Sequence, residues 1–117
     1  MKSSLPEATK EQRKRWQQMQ ATGCVACCLD GMIGNPGDIH HLLSGGKRIS
    51  HWHSVCLCSF HHRNVLKGDH HNDTPSLASE PKKFRERYGN DQELLAAQNA
   101  ILQHYCEVTN TNEHHYE

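Results

Sequence analysis

The stretch that decides the fold is His53-Ser54-Val55-Cys56-Leu57-Cys58-Ser59-Phe60-His61-His62. Residues His53 to Cys58 read as a short strand. From Ser59 or Phe60 a helix begins that carries His61 and His62 and closes at Gly68. The Cys58-x-x-His61 spacing lets two donors grip one ion without straining the backbone. A matching half-site, Cys24-x-x-Cys27, lies upstream, with 30 residues between Cys27 and Cys58. Together Cys24, Cys27, Cys58 and His61 supply four nitrogen and sulfur ligands for a tetrahedral structural zinc. The plainer alternative is a buried reduced pair plus an unrelated thiol. Cys28 directly follows Cys27 and competes with it for the role, whereas Cys56 and Cys106 read as buried thiols.

Moving toward the N-terminus, Asp38 to Leu43 reads as a first strand. Gly45-Gly46 then turns the chain, so the two strands form a hairpin. Consecutive strand residues point to opposite faces, so one of His40 and His41 can bind a metal while the other faces a substrate. If His61 points at zinc, His62 points elsewhere. A second metal is therefore expected on His40, His62 and either His70 or His71, with an open coordination position of the kind that marks catalytic sites. The alternative is a set of surface histidines, to which His114 and His115 belong.

The rest of the chain frames this centre. Apolar residues are 35% and aromatics 6% of 117 residues, thin for a domain held by burial alone, against 11 His and 6 Cys. Small weak cores usually carry a staple, here a metal. One domain is expected at this length. Thr9 with Gln12 reads as a capping box opening a helix to about Gln20, with Trp16 and Met19 on one face and Gly23 ending it. Residues 24–39 read as a knuckle and loop. Pro81 starts a helix holding Phe84 and Tyr88, which Gly89 stops. Asp91 caps a last helix whose apolar positions include Leu94, Leu95, Ile101, Leu102 and Tyr105. That face packs on its own core or meets a partner. The expected division is a loose stretch 1–8, a domain over 9–108 (core about 22–72, C-terminal helices 81–106), and a frayed tail 109–117. No run of 18 apolar residues exists, so no membrane span is expected. The N-terminal residues lack the apolar segment of a secretory signal, so a cytoplasmic setting with reduced thiols is expected. All 13 Lys and Arg lie within residues 1–87 beside 8 acids, leaving that portion at net +5, while residues 88–117 hold 5 acids and neither Lys nor Arg. A polyanion suits the basic portion, with ordinary solvated surface as the alternative. The run Lys10 to Arg15 allows the same two readings, and Lys82 to Arg87 mixes both signs.

The order of these motifs carries a resemblance. It runs CxxC, Ile39-His40-His41-Leu42, Gly45-Gly46-Lys47-Arg48-Ile49-Ser50-His51, Leu57-Cys58-Ser59-Phe60-His61-His62, Gly68-Asp69-His70, then Phe84 and Tyr88-Gly89. Over roughly residues 9–89 it resembles the phage recombination enhancement function (Ref) family, RecA-dependent DNA endonucleases of the HNH class. The resemblance implies an α+β fold with a small zinc-stabilised ββα-metal core, treble-clef-like, and flanking helices. It makes residues 9–108 a nuclease domain that hydrolyses phosphodiester bonds in phage or prophage recombination inside a bacterial host cell. DNA, and a RecA filament, are the implied partners. It assigns His41 as general base, His40, His62 and His70 as ligands of a catalytic Mg²⁺, Mn²⁺ or Zn²⁺, His51 as a group positioning substrate or base, and Lys47 and Arg48 as phosphate contacts. Cys56 stands where such sequences often carry Pro, and His51 or His53 occupies the region of the usual middle Asn. Near neutral pH an imidazole, with an unperturbed pKa of about 6.5, can take the proton of an attacking water. The competing class is a non-catalytic zinc-stabilised nucleic-acid-binding module. It accounts for the four zinc ligands but leaves His40, His41, His62 and His70 without a role.

Overall fold

In the computed structural model, residues 5–114 are described, with side chains through Thr109. Thr9 caps helix α1 (Lys10–Thr22): its hydroxyl accepts from Gln12 N–H while the Gln12 side chain accepts from Thr9 N–H. This is the capping box the spacing predicts. Gly23 ends α1 at φ 84°, a conformation open to glycine at little cost. The chain then enters the knuckle, which contains a helical turn of its own, α2 (Val25–Leu29), capped by the Cys24 sulfur.

Strand β1 (Asp38–His41) pairs antiparallel with β4 (Ser54–Leu57), with His40 opposite Val55 and His41 opposite Ser54. The expected hairpin is present, but a second one sits inside its loop. There β2 (Leu43–Ser44) pairs with β3 (Lys47–Arg48) across Gly45 and Gly46, both at positive φ. A two-residue turn of this kind draws its immediate flanks together. That is why the first strand stops at His41 rather than Leu43. Strand β4 is buried along its whole length and leads directly into helix α3 (Ser59–Arg63), completing a strand–strand–helix unit.

Helix α3 is shorter than expected. Asn64 takes the left-handed conformation at φ 60° and its N–H returns to the Phe60 carbonyl, so the helix ends well before Gly68. Asparagine tolerates that conformation better than other non-glycine residues. A single 3₁₀ turn, Asp69–His71, follows Gly68. Pro81 opens α4 (Pro81–Tyr88) as expected. The start of α5 (Asp91–His114) is capped by Asn90, not Asp91: Asn90 and Glu93 exchange side-chain to backbone hydrogen bonds at 2.9 Å in both directions. Only Asn90 has an acidic residue three places on to complete that box. The helix continues to His114, so residues 109–114 are helical where a frayed tail was expected. Residues 1–4 of the loose N-terminal stretch and 115–117 of the tail lie outside the described residues.

Strand β4 is the centre of the packing, contacted by β1, α1, α2, α3 and α5. One core cluster gathers Val25, Val55, Leu57, Phe60, Phe84, Tyr88 and Leu94 around Cys24, Cys27 and Cys58. A smaller one joins Met19, Cys56 and Leu102, with Trp16 and Ile39 against it. Gln98 of α5 is fully buried and accepts from Cys56 N–H at 2.9 Å, serving the outer edge of β4. The fold is therefore α+β: a strand–strand–helix unit, a cysteine knuckle on it, and three longer helices around both. Among the described residues no helix is long and apolar enough to cross a membrane.

Candidate metal centre and active site

The two half-sites meet because each is built the same way. Cys24 caps α2 and accepts from Cys27 N–H at 3.4 Å, and Cys58 caps α3 and accepts from His61 N–H at 3.5 Å. Each cap aims its own sulfur and the side chain three residues later at one point. His61 Nδ1 lies 3.5 Å from the Cys24 sulfur, 3.5 Å from Cys27 and 3.4 Å from Cys58. The Cys27 and Cys58 sulfurs are 3.8 Å apart. Zinc bonds of about 2.3 Å to sulfur and ~2.05 Å to nitrogen, at tetrahedral angles, require edges of roughly 3.8 and 3.5 Å. The four buried donors thus fit a tetrahedral zinc. Without a cation they oppose one another: hydrogen bonding to Cys27 and Cys58 pushes the Cys24 thiol up, while bonds from Cys24 and Cys27 hold Cys58 down. A metal that takes thiolates removes this conflict. Cys28 stays outside, its thiol donating to the Thr22 carbonyl at 3.3 Å.

A polar chain behind His61 prepares it as a ligand. Tyr88 Oη lies 2.6 Å from Asp30 Oδ2 and 3.0 Å from His61 Nε2. The carboxylate can only accept, so the hydroxyl donates to it and accepts from His61 Nε2–H. That leaves the Nδ1 lone pair facing the sulfurs. Burial first, and the Asp30 bond next, push the Tyr88 hydroxyl up, in keeping with its role as donor. Arg87 anchors Asp30 through Nη2 at 2.9 Å.

His71 stands beside the same cluster in a different role. Its Nε2 is 3.4 Å from the Cys58 sulfur and 3.7 Å from Cys27. Its Nδ1 accepts from Gly68 N–H at 2.9 Å, so in the neutral ring Nε2 carries the hydrogen and donates it to sulfur. Asn35 Nδ2 donates to the Cys27 sulfur as well, at 3.3 Å. Hydrogen bonds of this kind spread the charge of a thiolate cluster.

A second group of histidines lies at the end of the β1–β4 pair. The His40 and His62 rings are 4.8 Å apart between centroids. His62 Nδ1 is buried with no hydrogen-bond partner, 4.0 Å from Asp38 Oδ2. Burial holds both imidazoles below their ordinary pKa, aided by the neighbouring His62 for His40 and by Arg63 for His62. They stay neutral, the form that ligates metals. On the other side of β1, His41 Nε2 lies 3.0 Å from His51 Nδ1, and Trp16 meets both rings edge-on. Desolvation first, then Arg48, His51 and His40, hold His41 down to about 4. Lys47 and Arg48 lie exposed on the β2–β3 hairpin.

Among the described residues, His40, His62 and His70 do not form a set of donors within 4.8 Å of one another. His70 falls instead in a set with Cys27 and His71. Sequence reasoning also missed Tyr88, Asp30 and Arg87 behind His61, and Trp16 beside the His41–His51 pair. Tyr88 registers in the sequence only as the apolar partner of Phe84. Nothing local shows that its hydroxyl reaches a residue 27 positions away.

A comparison with curated proteins finds no match. Residues 8–103 match a family described as recombination enhancement, RecA-dependent nuclease. That span covers both histidine groups, the four clustered donors that could hold a metal and the first half of α5, and the chain belongs to this family of RecA-dependent nucleases of recombination.

Proposed function

We propose that this nuclease is a metal-dependent DNA endonuclease of the HNH type, hydrolysing phosphodiester bonds in phage or prophage recombination together with a RecA filament. One juxtaposition supports the reading: a hydrogen-bonded, neutral His41 stands one residue from the facing pair His40 and His62, on a strand–strand–helix unit. In this reading His41 takes the proton from the attacking water and His51 holds its ring. Lys47 and Arg48 meet the phosphates flanking the scissile bond. His40 and His62 would hold a divalent ion, Mg²⁺, Mn²⁺ or Zn²⁺. Their neutral rings and the unpartnered His62 Nδ1 suit that role. When bound, such an ion stabilises charge on the phosphate and the leaving oxygen. Cys24, Cys27, Cys58 and His61 hold a separate structural zinc. The catalytic ion thus rests on His40 and His62, with His70 beside the sulfur cluster.

The test uses circular single-stranded DNA and supercoiled duplex, with Mg²⁺ or Mn²⁺, with and without RecA and ATP, and a count of zinc per chain. His41→Ala is expected to abolish cleavage while keeping zinc and fold. A general base contributes about 10²–10⁴-fold, so the loss is easily read. Cleavage by that variant at the normal rate would sink the assignment. Zinc present with no cleavage by the unmodified protein under any condition would favour the non-catalytic binding module.

A further inference from the structure

The N-terminal segment ahead of α1 reaches the proposed base. His51 Nε2 lies 2.7 Å from the Pro6 carbonyl oxygen, and His51 Nδ1 lies 3.0 Å from His41 Nε2. A carbonyl can only accept, so His51 Nε2 carries a hydrogen. In the neutral ring His51 Nδ1 is then an acceptor, and the hydrogen between the two rings belongs to His41 Nε2. His51 Nδ1 thus spends its lone pair on His41, and of the four ring nitrogens His41 Nδ1 alone keeps a lone pair outside these hydrogen bonds. We infer that the Pro6 carbonyl, acting through His51, fixes the tautomer of His41 and presents its Nδ1 lone pair as the proton acceptor, which makes residues 6–16 a positioning element of the active site.

Further contacts hold the relay in place. Trp16 packs edge-on against His41 and His51, with ring centroids 5.7 and 5.3 Å away. Its Nε1–H donates to Ser54 Oγ at 3.1 Å, and Ser54 Oγ–H donates to the His51 carbonyl at 2.8 Å. Arg15 Nη2 donates to the Ser54 carbonyl at 2.9 Å. Helix α1 therefore fixes the backbone of His51 while Pro6 fixes its ring. One of the four cations in the Lys10–Arg15 run is thereby distinguished from a phosphate-binding face: Arg15 is engaged with the Ser54 carbonyl of β4 and with Asn99 of α5. A base whose lone pair is aimed before substrate arrives needs no ring flip or tautomer exchange at the moment of reaction.

The inference rests on the nuclease reading for its purpose, but its test does not. The zinc-loaded full chain is labelled with ¹⁵N, and long-range ¹H–¹⁵N correlation spectra report which ring nitrogens carry hydrogen. The expected spectrum has His41 and His51 both protonated at Nε2 and unprotonated at Nδ1. In His51→Phe, checked for zinc content and helicity, the His41 Nδ1 resonance should move from the unprotonated position toward an average of the two tautomers. In Pro6→Gly, which loosens the strap, the His51 signals should average in the same way. A His41 protonated at Nδ1 in the unmodified protein, or a His41 tautomer unchanged in His51→Phe, would overturn the relay. The expected tautomers together with no cleavage under any condition would leave the relay standing and sink the nuclease reading alone.

Discussion

Several imidazoles here have their tautomers set by a neighbour that can bond in one sense only. The Pro6 carbonyl accepts from His51, the Asp30-bound hydroxyl of Tyr88 accepts from His61 Nε2, and Gly68 N–H donates to His71 Nδ1. A histidine ligand needs such a partner, because the wrong tautomer offers the metal a hydrogen instead of a lone pair. Tyr88→Phe tests this at the zinc site. The ring remains to pack against Phe84, 4.8 Å away between centroids, but His61 Nε2–H loses its acceptor in a buried position. Loss of such a partner typically weakens metal binding about 10–100-fold. Titration of the zinc-loaded variant with a competing chelator should show a weakening in that range, and affinity equal to that of the unmodified protein would remove Tyr88 from the site.

At the scale of elements, the legible parts are those whose chemistry is local. Thr9 with Gln12, Cys24-x-x-Cys27, Cys58-x-x-His61 and Pro81 each specify a cap or a knuckle within four residues, and each appears where the sequence places it. The end of α3 and the side taken by His70 were not legible. Both depend on the path of residues 64–80, where Asn64 and Asp73 turn through positive φ and one 3₁₀ turn swings His71 under Phe60. No period in the sequence encodes that path, and with two adjacent histidines a one-residue rotation decides which faces inward. The knuckle has its own sharp constraint at Gly23. A Cβ there would lie 2.6 Å from the backbone nitrogen and oxygen of Asn35, and Cys24 N–H donates to that same Asn35 oxygen at 2.7 Å. Gly23→Ala therefore meets both a left-handed φ and a backbone clash that no rotamer change relieves. Positive φ with extended ψ, here 84° and −169°, is essentially a glycine conformation and alone costs roughly 1–3 kcal/mol for a residue with a Cβ. Denaturant unfolding of the zinc-loaded variant should show a stability loss of about 2 kcal/mol or more, and a loss under about 0.5 kcal/mol would mean that the knuckle is far softer than its packing implies.

Across the whole molecule, the neutral total conceals a division that the fold preserves. Four of the five acidic residues of the last quarter, Asp91, Glu93, Glu107 and Glu113, lie on α5, which packs against α1, β4 and α4, while Lys47 and Arg48 stand on an exposed hairpin. The hairpin has little core of its own, since all four of its paired residues are exposed. Its sequence can therefore change without disturbing β4 or the zinc cluster. This makes it the cleanest place to ask whether the basic portion binds nucleic acid. Each phosphate contact adds about 0.9 to the slope of log affinity against log salt for duplex DNA, and about 0.7 for single strands. If Lys47 and Arg48 both meet phosphates, the double variant Lys47→Ala and Arg48→Ala should lower that slope by roughly 1.8 on duplex or 1.4 on single strands. Its zinc content and unfolding midpoint should not change. The measurement is fluorescence anisotropy of a labelled oligonucleotide between low and moderate salt, without RecA, so that only direct contacts are read. A slope unchanged in the double variant would place the phosphate contacts elsewhere on the basic portion. Arg15 is then a poor alternative because it is bound to Ser54 and Asn99, which leaves the exposed Lys10 and Lys14 of α1 as the next pair to vary.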